Sequence, residues 1–129
     1  MIAIIFEVTP SDRGRQRYLY LATELSPSLR KMDGFLSIER FQSLEDSSKI
    51  LSLSFWRDEQ SVMAWRKLES HRQAQAEGRN GLFDEYRLRV VKVLRDYGLR
   101  DRIETPSDSL SEHPTHIAAS ISDGARLPK

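Results

Sequence analysis

Four side chains of this 129-residue chain combine a reactive type with a suggestive position: Glu7, Trp65, His71 and Tyr86. His71 is the natural group for proton transfer near neutral pH, because imidazole titrates closest to that range. Its alternative is a structural one, a helix-end residue bonded to a carbonyl or a carboxylate. Trp65 offers a flat wall with a single N–H donor, and the same side chain would equally serve as core. Tyr86 could donate a hydrogen bond to a substrate oxygen or simply fill a sheet face. Glu7 falls in an apolar, strand-like run, where an unpaired carboxylate is costly to bury. It either pairs with an arginine such as Arg87 or Arg89, or acts as a base whose pKa an apolar pocket has raised.

Chemistry-bearing residues are densest between Phe55 and Tyr86, in Phe55-Trp56-Arg57-Asp58, Ala64-Trp65-Arg66, His71-Arg72 and Gly78-Arg79. Both tryptophans and the only histidine outside the C-terminal tail fall within sixteen residues. The elements that must hold them follow from periodicity. Ile2 to Val8 reads as a strand closed by Thr9-Pro10, with Ile2, Ile4, Phe6 and Val8 on one face and Ala3, Ile5 and Glu7 on the other. Ser11 or Asp12 is placed to cap a helix whose buried stripe is Tyr18, Ala22, Leu25, Leu29 and Met32. Pro27 inside that stripe predicts a kink, or a new helical turn starting at Ser26.

Asp33-Gly34 ends this helix, and Phe35 to Phe41 and Lys49 to Trp56 read as two strands of an antiparallel hairpin joined through Gln42 to Ser48. In the later strand Leu51, Leu53 and Phe55 point one way and Ser52, Ser54 and Trp56 the other, which makes Trp56 a packing residue at the strand–helix corner. Asp58 opens a second helix with Val62, Trp65 and Leu68 inward. Gly78-Arg79-Asn80-Gly81 breaks it, and Phe83 to Arg95 reads as the last strand. The order β-α-β-β-α-β is the ferredoxin-like α+β arrangement, with helices covering one face of an antiparallel sheet. Residues 1–98 form this domain; residues 99–129, rich in Ser, Pro and Asp, read as a polar tail placed to dock on a partner subunit.

Composition narrows the function. A net charge of +1 gives no electrostatic case for nucleic acid or an anionic membrane. Without cysteine there is neither thiolate chemistry nor a disulfide, which suits a reducing compartment. The first residues have no basic n-region and Glu7 interrupts the apolar run, so a cytoplasmic protein is expected. Arg13, Arg15 and Arg17 spread around a solvated helix face. His113 and His116 have no further ligand pattern around them, and no phosphate loop, dinucleotide fingerprint or nucleophile elbow occurs.

The element order together with Trp56-Arg57-Asp58, Ala64-Trp65-Arg66, His71-Arg72 and the run Phe83 to Val90 resembles the antibiotic biosynthesis monooxygenase (ABM) superfamily over roughly the first hundred residues. The resemblance implies a homodimeric α/β barrel with a pocket between sheet and helices in each subunit. It also implies a cofactor-independent monooxygenase acting on a small aromatic or quinol-like substrate, with Trp65, His71, Tyr86 and Glu7 as its site. A non-catalytic dimer that binds a small apolar ligand is the alternative. The haem-degrading branch is disfavoured. Its strand asparagine corresponds to Glu7 and its ligating histidine to Gln75, whereas His71 follows Trp65 by only six positions.

Overall fold

The computed structural model describes the backbone of residues 1–75 and 81–110 and the side chains of 1–68 and 81–109. The chain divides into two compact units, Met1–Lys92 and Val93–Lys129. The first contains β1 (Ile2–Pro10), α1 (Arg15–Arg30), β2 (Phe35–Gln42), β3 (Ile50–Trp56), α2 (Glu59–Gln75) and β4 (Phe83–Lys92). Its sheet has the order β2-β3-β1-β4 with every neighbouring pair antiparallel, the ferredoxin-like arrangement expected. The described part of the second unit carries one short helix, α3 (Ser107–Leu110), and local ties: Glu104 Oε1 accepts from the Asp96 N–H at 2.7 Å, and the Arg102 guanidinium lies 5.7 Å from the Tyr97 ring centre.

Cross-strand register fixes the two faces of the sheet, since directly opposed residues point the same way. Ile2, Ile4, Phe6 and Val8 oppose Trp56, Ser54, Ser52 and Ile50, and this set lies under the helices. Leu29 of α1, Trp56, Val62 and Trp65 form one core cluster, against which Ile2 and Ile4 pack. Val8, Tyr18 and Ile50 form a second, joined by Phe6, Leu82 and Phe83. Trp56 is the strand–helix corner residue expected, 1% exposed, its indole N–H donating to Ser54 Oγ at 2.9 Å.

The start of α1 differs from expectation. Gly14 occupies the N-cap and no side chain caps the helix. Ser11 instead closes the preceding turn: its Oγ accepts from the Gly14 N–H at 2.9 Å, while its own N–H donates to the Leu82 carbonyl at 2.9 Å. The chain leaving β1 is thus tied to the segment entering β4 before the helix begins. A Cβ on Gly14 would strike the Leu82 carbonyl, so this approach requires glycine. Nor does the helix restart at Ser26; α1 runs unbroken through Pro27 to Arg30. Pro27 lies in its final turns, and the carbonyl it leaves without a helical donor belongs to exposed Thr23, within reach of water. At the far end β4 stops at Lys92, three residues short of the Arg95 expected.

Asp58 opens α2 as expected, its Oδ1 accepting from the Ser61 N–H at 2.9 Å and the Ser61 hydroxyl at 2.8 Å. Arg57 extends the junction into a clasp. Its Nη1 and Nη2 donate to the two Asp33 oxygens at 3.1 and 2.8 Å, its Nε to Asp58 Oδ2 at 3.1 Å, and its backbone N–H to the Gly34 carbonyl at 2.7 Å. The Ser61 hydrogen bonds, backbone first, and then Arg57 pull the Asp58 pKa from 3.8 down to about 2. A carboxylate depressed on folding contributes stability above its unfolded pKa and loses it as pH falls through the folded value. Stability should therefore drop from about pH 3.8 towards pH 2. Asp58→Asn, which keeps an oxygen acceptor without the charge, should flatten that slope in urea unfolding series; parallel slopes for the two proteins would refute the assignment.

Candidate functional site

β4 is an edge strand, and its helix-side residues are Tyr86, Leu88, Val90 and Lys92, opposite Val8, Phe6, Ile4 and Ile2. Of the β1 partners Val8 is buried and Phe6, Ile4 and Ile2 are half-buried, whereas Tyr86 is 64%, Leu88 51% and Val90 47% exposed. Among the described residues a helix contact is seen at the start of β4, where Tyr18 of α1 meets Phe83. The exposed stripe is an apolar shelf continuous with the core, with a phenol at one end and an ammonium at the other.

The Tyr86 end is built from aromatic rings. Tyr86 lies 5.8 Å from Phe6 and 6.0 Å from Phe83 between ring centres, and Phe83 meets Tyr18 edge-on at 5.6 Å. This cluster was missed by reading the sequence, for a definite reason. Phe83 and Tyr86 are three apart, which on a regular strand puts them on opposite faces. The register slips between Thr9 and Pro10, so that Thr9 opposes Glu85 and Pro10 opposes Phe83. Asp84 is passed over, and the irregularity brings Phe83 to Tyr86's side.

The expected site residues separate into groups. Trp65, 9% exposed, lies on the helix side in the cluster that Ile2 and Ile4 touch, and those residues are the cross-strand neighbours of Lys92 and Val90. Tyr86 shares that side but belongs to the other end of the shelf. His71 lies in the C-terminal part of α2; its side chain falls outside the described residues, as do His113 and His116 altogether. Glu7 is on the opposite face of the sheet, between Leu51 and Arg87 in register. Its Oε2 accepts from Arg89 Nη1 at 2.8 Å, and Lys49 Nζ stands 3.7 Å from its Oε1. Of the two roles foreseen for Glu7, arginine pairing is the one observed, on the diagonal rather than with Arg87 directly across. An open cleft of about 340 Å³ beside it is lined by Phe41, Gln42, Ser43, Lys49 and Leu51.

Among the described residues no cluster of three or more histidine, aspartate or glutamate side chains is placed to hold a metal ion. No described helix is long and apolar enough to cross a membrane. The helix-side face of β4 is suited to binding an apolar body and to hydrogen bonding or charge recognition at its ends.

The family model described as antibiotic biosynthesis monooxygenase matches residues 1–77. A protein of Pyricularia oryzae named jasmonate monooxygenase ABM is 39% identical over 121 residues, covering 92% of this chain and 56% of the relative. The chain thus spans little more than half the length of that relative. Among solved structures, PA3566 from Pseudomonas aeruginosa superposes with a TM-score of 0.61 at 18% identity, over 72% of this chain and 93% of its own. The haem degrader MhuD of Mycobacterium tuberculosis, solved with two haems in its active site, gives a TM-score of 0.60 at 12% identity, over 76% of this chain and 100% of its own. At such identities these two likenesses speak for the fold alone.

Proposed function

The chain belongs to the antibiotic biosynthesis monooxygenase family, and from that membership we propose that it is a cofactor-independent monooxygenase working at the helix-side face of β4. Its substrate is a small aromatic or quinol-like compound, or a jasmonate, the compound that the name of the Pyricularia relative gives. The observation that carries this reading is the exposed Tyr86-Leu88-Val90 stripe, which abuts the core cluster containing Trp65. In such chemistry an activated substrate carbanion supplies electrons to oxygen, while the protein positions it, moves protons and limits water. His71 is assigned the proton transfer, Tyr86 a hydrogen bond to a substrate oxygen, and Trp65 the rear wall.

Glu7 enters from the far face. Ile5, Leu51, Leu53 and Phe55 line that side of the sheet half-buried and Phe41 is 42% exposed, an apolar surface suited to a second copy of the chain. A homodimer in which Glu7, Arg89 and Lys49 fall near the subunit contact is therefore part of the proposal, and a cysteine-free chain is compatible with a cytoplasmic location. The alternative, a dimeric ligand carrier without turnover, draws on the burial of Trp65 and the pairing of Glu7.

The test is oxygen uptake by the full chain with a panel of jasmonate, anthrones and quinols, after light scattering has established a dimer at micromolar concentration. Turnover of at least one compound is expected, with His71→Ala lowering kcat roughly 100-fold, the lower range for a lost general acid or base. Trp65→Phe and Tyr86→Phe should have smaller effects, and Glu7→Gln should act through the dimer. A folded wild type that consumes no oxygen across the panel counts for the carrier, and a monomer counts against the barrel.

A further inference from the structure

On the helix side of β4 the described residues include one lysine, Lys92, at the end of an apolar stripe. Lys92 is exposed and makes no ion pair or hydrogen bond among the described residues. Its cross-strand neighbour is Ile2, and the other β1 residues on this face, Ile4, Phe6 and Val8, are also apolar. The opposite face is different: there Lys49 and Arg89 share the Glu7 carboxylate. Among the described residues Lys92 thus ends an apolar stripe as a point charge without a counterion. A neutral ligand would cover Leu88 and Val90 but leave the ammonium unused, and a small hydrophilic anion would find no reason to remain on the shelf.

We propose that this face binds an amphipathic carboxylate, with Lys92 holding the carboxylate, Val90 and Leu88 carrying the apolar body and the Tyr86 ring bounding the far end. Alternate residues on a strand are about 7 Å apart. The Val90 and Leu88 side chains therefore support a ring or short alkyl segment while the flexible lysine reaches its head group. Covering the shelf removes apolar surface from water and supplies most of the affinity; the ammonium supplies the discrimination between acid and neutral analogue. Lys92 is then a specificity residue. The inference deepens the monooxygenase reading by naming a class of substrate, and it rests on that reading only for what happens after binding.

The experiment uses the full chain, with jasmonic acid and its methyl ester as probes and calorimetry as the readout. The acid should bind about fivefold more tightly than the ester, the ratio expected of a partly exposed ion pair at its upper range. The preference should shrink as salt is raised. Lys92→Gln should remove the preference while leaving ester binding unchanged, and Lys92→Arg should restore it. Because Lys92 is exposed, thermal unfolding of these variants should match wild type. Equal binding of acid and ester by wild type, a preference that survives Lys92→Gln, or no binding of either probe would overturn the proposal. Oxygen uptake separates it from the function itself. Acid-selective binding without turnover sinks the monooxygenase reading alone, whereas equal turnover of acid and ester by wild type and Lys92→Gln sinks the lysine assignment alone.

Discussion

Trp56→Ala should destabilise the first unit by about 3–5 kcal/mol, the range for removing a large aromatic from a packed core. Trp56 is 1% exposed and meets Phe35 edge-on at 5.4 Å between ring centres. It shares a cluster with Leu29, Val62 and Trp65, so its indole links α1, β3 and α2. Truncation opens a cavity among all three. It also strands the Ser54 hydroxyl, which is 6% exposed and accepts the indole N–H. Typical domains have about 5–15 kcal/mol in total, so the variant should be partly unfolded at growth temperatures. Trp56→Phe separates the two contributions: it keeps most of the ring, loses the donor, and should lose roughly 1–3 kcal/mol. Urea midpoints measure both. A loss below about 1 kcal/mol for Trp56→Ala would mean that the corner is not a linchpin of the core.

Much of this architecture was legible because strand patterning has a period of two and does not depend on distant context. The placement of Trp56 with Ser52 and Ser54, and of Glu7 away from Ile4 and Phe6, follows from alternation alone and is what the register shows. The α1 and α2 stripes were likewise visible, since Tyr18 and Leu29, and Val62 and Trp65, recur at helical spacing and are buried. What failed to show depended on partners far away in the chain. Gly14 serves as the N-cap because Leu82 comes close to it, a neighbour that no local pattern reveals. The irregular pairing around Asp84 reverses Phe83, and with it the aromatic end of the shelf. The exposure of Tyr86, Leu88 and Val90 depends on tertiary packing, and helix stripes say only which side faces inward. The site's chemistry was therefore visible as residues, while its location was hidden in packing.

Gly34→Ala should cost about 2–4 kcal/mol of stability. Two effects combine. Gly34 has φ +87°, a left-handed conformation in which a Cβ costs roughly 1–2 kcal/mol. The added Cβ would also lie 2.6 Å from Ser61 Cβ and closer still to its Oγ, so overpacking adds about 1–3 kcal/mol. Ser61 cannot swing aside freely, because its hydroxyl donates to the Asp58 oxygen that caps α2. Gly81 provides the control: its φ is +85°, and a Cβ there meets no described atom within 4 Å. Gly81→Ala should therefore show the backbone penalty alone, and the difference between the two variants measures the collision. In a Ser61→Gly background the Gly34→Ala penalty should fall towards the Gly81→Ala value. If the two alanine variants have equal urea midpoints, contact with Ser61 contributes nothing. Ser61 and Trp65 are four residues apart on α2 and so share one face of that helix. Pressure on the first is therefore delivered to the helix face that carries Trp65, a member of the core cluster against which Ile2 and Ile4 pack.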